Sequence, residues 1–134
     1  MKPDKSSYMM SFKGINVLVT GGNGAVGCNL VKKLLEQDAK VTVLDDFSQS
    51  SAENLKKHQN LVVVKADIMN IKSLSKVFSK KFDYVFHLAA RFANELSVKD
   101  PLEDLRVNVQ GTLQVLLYAS KQKPERFLYT SSSS

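Results

Sequence analysis

The sequence predicts a doubly wound α/β domain, a parallel sheet with helices on both faces. Three observations carry that expectation. Apolar runs at 15–19, 41–44, 61–64, 83–87 and 126–130 alternate with segments whose apolar residues recur at helical spacing. A glycine turn, Thr20-Gly21-Gly22-Asn23-Gly24-Ala25-Val26-Gly27, lies between the first run and the first helical segment. Small or polar residues follow every run: the glycine turn, Asp45-Asp46, Asp67, Leu88-Ala89-Ala90 and the terminal serines. Right-handed crossovers favour the strand order 3-2-1-4-5, which gathers those clusters on one edge of the sheet, where ligands of such folds bind.

Taken in order, the elements are as follows. Lys2, Pro3, Asp4, Lys5, Ser6 and Ser7 lack a signal peptide's apolar centre; residues 1–12 read as a flexible lead-in and 13–134 as the folded domain. Ile15-Asn16-Val17-Leu18-Val19 is a β-branched first strand, and Leu30, Val31, Leu34 and Leu35 mark a helix to about Gln37. Asp38-Ala39-Lys40 turns the chain into the second strand. A polar loop follows, with Ser51 as candidate N-cap of a short helix carrying Leu55. Leu61-Val62-Val63-Val64 is an uninterrupted apolar run of the kind buried on both faces. Ile71, Leu74, Val77 and Phe78 define an amphipathic helix before the fourth strand. From about 100 to 121 a longer helix carries Leu105, Val109, Leu113, Leu116 and Leu117 on one face. Pro101 suits its first turn. Gly111, a poor helix former, marks a close approach by ligand or backbone. The fifth strand, 126–130, is a sheet edge that exposes Phe127, Leu128 and Tyr129.

Strand, glycine turn and helix in succession form the context of a dinucleotide-binding fingerprint, and hence of a Rossmann-type sheet. Gly21 or Gly22 permits dihedrals that a Cβ forbids. Gly24 lets the backbone approach a pyrophosphate, and Gly27 lets the helix pack against the strand. The helix then presents unpaired N–H groups and a partial positive charge to the phosphates. Asp45 lies at the end of the second strand, about 20 residues beyond the glycines, where a carboxylate accepts hydrogen bonds from the adenosine ribose. A carboxylate there repels the 2′-phosphate of NADP, and no Arg follows it closely, so NAD is the expected cofactor. Cys28-Asn29 stand where a P-loop needs Lys-Ser/Thr, which excludes that motif.

Composition narrows the remaining classes. With 43% hydrophobic and 24% charged residues, the chain has enough apolar surface for a core. No apolar run reaches the roughly 20 residues of a membrane span. Cys28 is the single cysteine, which rules out an internal disulfide and suits a reducing, cytoplasmic setting. The net charge of +6 comes from scattered pairs, Lys32-Lys33, Lys56-Lys57 and Lys80-Lys81, without interleaved aromatics. They read as solvated surfaces and not as a nucleic-acid platform. No cluster with metal-ligand spacing stands out.

The residues also resemble a known family. Thr20 to Gly27, Leu44-Asp45-Asp46, Ala66-Asp67-Ile68, His87-Leu88-Ala89-Ala90, Asn108-Val109-Gln110-Gly111-Thr112 and Phe127-Leu128-Tyr129-Thr130-Ser131-Ser132-Ser133 together are similar to the amino-terminal part of an extended short-chain dehydrogenase/reductase. The group is that of the NAD-dependent epimerases and dehydratases acting on nucleotide sugars. The resemblance implies that Gly21, Gly24, Ala25, Val26 and Gly27 hold the cofactor's phosphates. Asp45 and Asp46 would hold its ribose, and Asp67 and Ile68 would flank the adenine. Leu88, Ala89 and Ala90 would line the cofactor's middle, with Ser131 beside it, and Asn108 would steady the active-site backbone. It implies a nucleotide-sugar substrate, a homodimer at full length, and Ser132 as the serine that hydrogen-bonds the sugar oxygen being oxidised. His87 reads as a structural strand-end histidine and Arg91 as a residue facing the substrate.

One departure matters. In the family a Tyr, with a Lys four residues later, transfers the proton; the phenol's pKa is lowered by the ammonium and the nicotinamide ring. Here Tyr8, Tyr84, Tyr118 and Tyr129 are followed at that spacing by Phe12, Leu88, Gln122 and Ser133. The chain therefore reads as an amino-terminal fragment, cut before the later strands and inactive alone. A non-catalytic NAD(P)-binding sensor or scaffold is the competing reading, favoured by the missing pair and opposed by the serine run.

Overall fold

A computed structural model of the chain describes residues 11–50, 54–91 and 98–131. Five parallel strands form one sheet in the order β3-β2-β1-β4-β5, as the alternation predicts. The strands are β1 (Asn16–Thr20), β2 (Lys40–Asp45), β3 (Leu61–Lys65), β4 (Tyr84–His87) and β5 (Arg126–Tyr129). Between them lie α1 (Ala25–Glu36) and α2 (Ile71–Val77). A continuous helical segment precedes β5: α3 (Pro101–Leu105), a π-helical stretch Arg106–Gly111, and α4 (Thr112–Gln122). It starts with Asp100 accepting the Glu103 N–H and Pro101 in the first turn, and it ends at Lys123 in a left-handed conformation, followed by Pro124.

The register explains the core. Val17 pairs with Val41 and Val19 with Val43, so these four valines share one face. There they bury Val31 and Leu34 of α1 together with Ala39. Leu18, Leu44 and Val85 point to the opposite face, onto Leu74, Val77 and Phe78 of the α2 region, Phe82, and Val115 and Ala119 of α4. The sheet is therefore doubly wound. Phe12 packs edge-on against Tyr84 at 5.6 Å, which ties the start of the described chain to the bottom of β4.

Three expectations need correction. The valine run of β3 is not buried on both faces: Val62 is 52% and Val63 42% exposed. β3 is the outer strand, at the rim of the sheet, where the described helices that cover the central strands reach its faces least. On the long helical segment, Leu105, Val109, Leu113, Leu116 and Leu117 face outward with Leu102, and all are exposed. The residues that reach the core are Val115, Ala119 and Gly111, with Val107 and Tyr118 beside them. Spacing marks a stripe but not the direction it faces. Finally, the close protein approach at Gly111 is made by a side chain rather than by backbone: a Cβ there would sit 2.5 Å from Ile68 Cδ1. As expected, β5 is an edge strand with Leu128 and Tyr129 exposed, although Phe127 is half-buried. Residues 51–53, where the short helix is expected to start, and Ser132 lie outside the described residues; Leu55, which that helix carries in the sequence reading, is half-buried against the α1 face of the sheet.

Candidate functional site at the carboxyl edge of the sheet

The glycine turn is shaped by contacts that leave no room for side chains. Gly21 has φ +68°, and its N–H donates to the Leu44 carbonyl at 2.8 Å. A Cβ there would lie 2.7 Å from the Ala89 amide nitrogen. The turn thus closes onto the β4 exit. At Gly22 a Cβ would strike the Val43 methyls. At Gly27 it would strike the Gly21 carbonyl and the Gly22 Cα. Gly27 therefore lets α1 pack against the turn itself, a closer partner than the strand expected. At Gly24 a Cβ would touch only the Gly21 carbonyl, at 3.4 Å, so the turn's outer side is open.

That open side fits a bound pyrophosphate. α1 leaves Gly24 with no side-chain cap and no acidic residue in its first turn. Its first N–H groups are directed at the opening, with the positive end of the helix dipole behind them. Ala25 and Val26 are exposed there.

Asp45 stands beside the turn. Its Oδ2 accepts the Asn23 N–H at 2.9 Å and its Oδ1 accepts the Phe47 N–H at 2.8 Å. Each oxygen keeps a lone pair for a further donor, such as a ribose hydroxyl. Asp46 is exposed and caps its own loop, with Oδ1 accepting from Ser48 N–H and Oγ–H. Across the sheet, Asp67 Oδ1 accepts the Met69 N–H and Oδ2 pairs with Arg106 Nη2 at 3.2 Å. Arg106 also holds Glu103 at 2.7 Å. The hydrogen bonds that Arg106 donates to Glu103, and then to Asp67, raise the pKa of the guanidinium, and in return Arg106 lowers that of Glu103. This cluster ties the β3 exit to the start of the long helical segment, and Ile68 fits over Gly111.

Asn108, in the π-helical stretch, grips the backbone beyond β4. Its Oδ1 accepts the Arg91 N–H at 2.7 Å, and its Nδ2 donates to the Arg91 carbonyl at 3.2 Å and to Asp104 Oδ1 at 3.0 Å. The widened π turn displaces the side chain from the ordinary helical phase. Leu88 N–H donates to the Thr20 carbonyl and Ala89 N–H to Thr20 Oγ1, at 3.0 and 3.2 Å. Ala90 and Ser131 are exposed at the same edge.

His87 is buried between two hydroxyls, Thr20 Oγ1 at 2.7 Å from Nδ1 and Thr112 Oγ1 at 2.9 Å from Nε2. Its ring stacks on Tyr129 at 5.8 Å. Burial pushes its pKa down to about 4, so the imidazole is neutral at pH 7 and bridges β1, β4 and α4. The sequence singled out neither Thr20 and Thr112 as its partners, nor Arg106, nor Asn23. Thr20 and Asn23 stand in the glycine turn and Thr112 in the Asn108–Thr112 motif, each without an assigned role, and Arg106 lies in plain helix.

A doubly wound sheet with a glycine turn, an uncapped helix start and a carboxylate at the β2 exit defines a dinucleotide-binding domain. Residues 17–134 match the NAD dependent epimerase/dehydratase family, and the chain belongs to that family. It is 37% identical over 121 residues to a UDP-glucose 4-epimerase of Mycolicibacterium smegmatis, covering 88% of this chain and 39% of that protein. Among solved structures it is similar to an epimerase of Methanothermobacter thermautotrophicus, with 48% identity and a TM-score of 0.89 over 91% of this chain and 36% of that one. It is also similar to the Bordetella bronchiseptica enzyme WbmF solved with NAD+, with 31% identity and a TM-score of 0.85, over 92% and 38% of the two chains. The chain thus spans less than two fifths of the length of these relatives. No helix among the described residues is long and apolar enough to cross a membrane, and none of their His, Cys, Asp and Glu side chains form a group that could hold a metal ion.

Proposed function

We propose that this chain is the NAD-binding part of a nucleotide-sugar epimerase or dehydratase. The observation that carries the reading is the junction of the open glycine turn, the uncapped start of α1 and the Asp45 carboxylate, all joined by direct hydrogen bonds. In this reading the N–H groups of α1 hold the pyrophosphate and Asp45, assisted by Asp46, holds the adenosine ribose. Asp67 and Ile68 flank the adenine, and Leu88, Ala89 and Ala90 line the middle of the cofactor. Bound NAD supplies a ring that takes a hydride from the sugar and gives it back. Asn108 keeps the Arg91 backbone in place beside that ring, Ser131 lies next to it, and Ser132 hydrogen-bonds the reacting sugar oxygen. The single thiol fits a reducing, cytoplasmic setting.

The proton-transfer Tyr-Lys pair has no counterpart among the four tyrosines. With NAD and a UDP-hexose, the 134-residue chain is therefore expected to bind cofactor without converting sugar; measurable conversion would contradict the assigned need for that pair. The second reading is a cofactor-binding sensor or scaffold, in which the same turn and Asp45 serve binding alone. Sequencing the coding DNA beyond the Ser134 codon separates the two. An in-frame Tyr followed four residues later by Lys supports the enzyme, and an immediate stop codon supports the module.

At full length a homodimer is proposed. The exposed residues Leu102, Leu105, Val109, Leu113 and Leu116 follow each other at intervals of three and four, the spacing of a helix–helix seam.

A further inference from the structure

The loop leaving β2 is fastened to the glycine turn by more than Asp45. Asn23 is fully buried inside the turn. Its side-chain Nδ2 donates to Ser50 Oγ at 3.0 Å, and its backbone carbonyl accepts from Asn54 Nδ2 at 2.8 Å. With the Asn23 N–H on Asp45, one residue of the turn holds three points of the loop. The loop also bends through Phe47 at φ +59°, a left-handed conformation that a non-glycine residue sustains only where its surroundings hold it. The Asp45 carboxylate supplies part of that hold through the Phe47 N–H.

We infer that Asn23, Ser50 and Asn54 act as a clasp that steadies the Asp45 carboxylate against the phosphate-binding turn, in addition to the Gly21–Leu44 backbone bond that already joins β2 to the turn. Asn23 is then a positioning residue for the cofactor, although its side chain is turned into the protein. The inference rests on the NAD reading above. A dinucleotide contacts the turn through its pyrophosphate and Asp45 through its ribose, so its affinity depends on the two being spaced in advance. Releasing the loop makes binding supply that order, which lowers affinity by about three- to tenfold for each fastening lost. A ligand that touches only the Asp45 side does not sense the spacing.

Ser50→Ala removes the hydroxyl that meets Asn23 and leaves every backbone bond of the turn intact, while Asn54→Ala removes the amide that donates to the Asn23 carbonyl. Both are to be titrated with NAD, ADP and adenosine, alongside melting of the unliganded chain. The expected result is a three- to tenfold rise in Kd for NAD and ADP, unchanged adenosine affinity, a melting temperature within about 2 °C of the unaltered chain, and recovery in Ser50→Thr. Unchanged NAD affinity in both variants overturns the inference, as does an equal loss for ADP and adenosine, which marks a merely loosened loop. An unaltered chain that binds no NAD overturns the cofactor reading and the clasp with it, whereas binding by the unaltered chain with no effect of the variants overturns the clasp alone.

Discussion

The two halves of the sheet use similar residues for opposite ends. Around β1, β2 and α1, Val17, Val19, Val31, Val41 and Val43 are sealed from water, and the glycine turn is packed to the limit of backbone contact. Around β5 and the long helical segment, Leu102, Leu105, Val109, Leu113, Leu128 and Tyr129 stand exposed. The first region is closed around β1 and β2, with only its margins, Val26 at the turn and Val62 and Val63 of the edge strand, left exposed. The second resembles a surface made to be covered. Apolar content alone does not distinguish them; the register of β1 against its neighbours, and the small residues that let elements close up, do.

Substitutions in the two halves should therefore differ in size. Gly27→Ala drives a Cβ into the Gly21 carbonyl and the Gly22 Cα, backbone atoms that cannot swing aside. The expected loss is about 3 kcal/mol, or roughly 10 °C in Tm, read by thermal melting. A Tm within about 2 °C of the unaltered chain would show that the turn is looser than its geometry.

His87 joins the halves, and its contribution depends on pH. Its folded pKa of about 4 lies below the ordinary value of 6.5. The unfolded chain therefore binds the extra proton between those values, so stability is full above pH 6.5 and declines as pH falls towards 4. The loss approaches about 3 kcal/mol at the acid end. Denaturant titrations between pH 7 and 4 should show this slope in the unaltered chain and its removal in His87→Gln; equal slopes would assign the acid sensitivity elsewhere.

Parts of this contrast were legible in the sequence and parts were not. Strand, glycine turn, helix and Asp45 were readable because each is a local signal: β-branched runs, glycines at fixed offsets, and apolar residues three and four apart. The exposure of Val62 and Val63 was not, because an edge strand and a central one can share the same valine run and only strand order distinguishes them. The leucines of the long helix read as a core stripe for a similar reason, while the true contacts, Val115, Ala119 and Gly111, are smaller and less conspicuous. The π turn around Asn108 has no compositional mark. The partners of His87 and Asn23 are 22 to 67 residues apart in sequence or sit behind one hydroxyl in a polar loop, so no spacing rule finds them.

Two smaller effects refine the comparison. Gly111→Ala displaces the flexible tip of Ile68, yet alanine favours a helix over glycine by about 1 kcal/mol. The two nearly cancel, so stability should shift by less than about 1 kcal/mol while NAD affinity falls as Ile68 moves; unchanged affinity would remove Ile68 from the adenine site. Leu113→Glu, at a position 52% exposed, should change stability by no more than about 0.5 kcal/mol. In light scattering of the longest available form of the protein it should abolish self-association, and a dimer that persists would place the contact elsewhere.

The most direct test of the central claim is a calorimetric titration of the 134-residue chain with NAD and then with NADP. The glycine turn and Asp45 predict one NAD site, with NADP weaker by about tenfold or more because its 2′-phosphate meets the Asp45 carboxylate. Absence of NAD binding, or equal affinity for the two, would contradict the assignment of the turn and Asp45 as a single NAD-binding site.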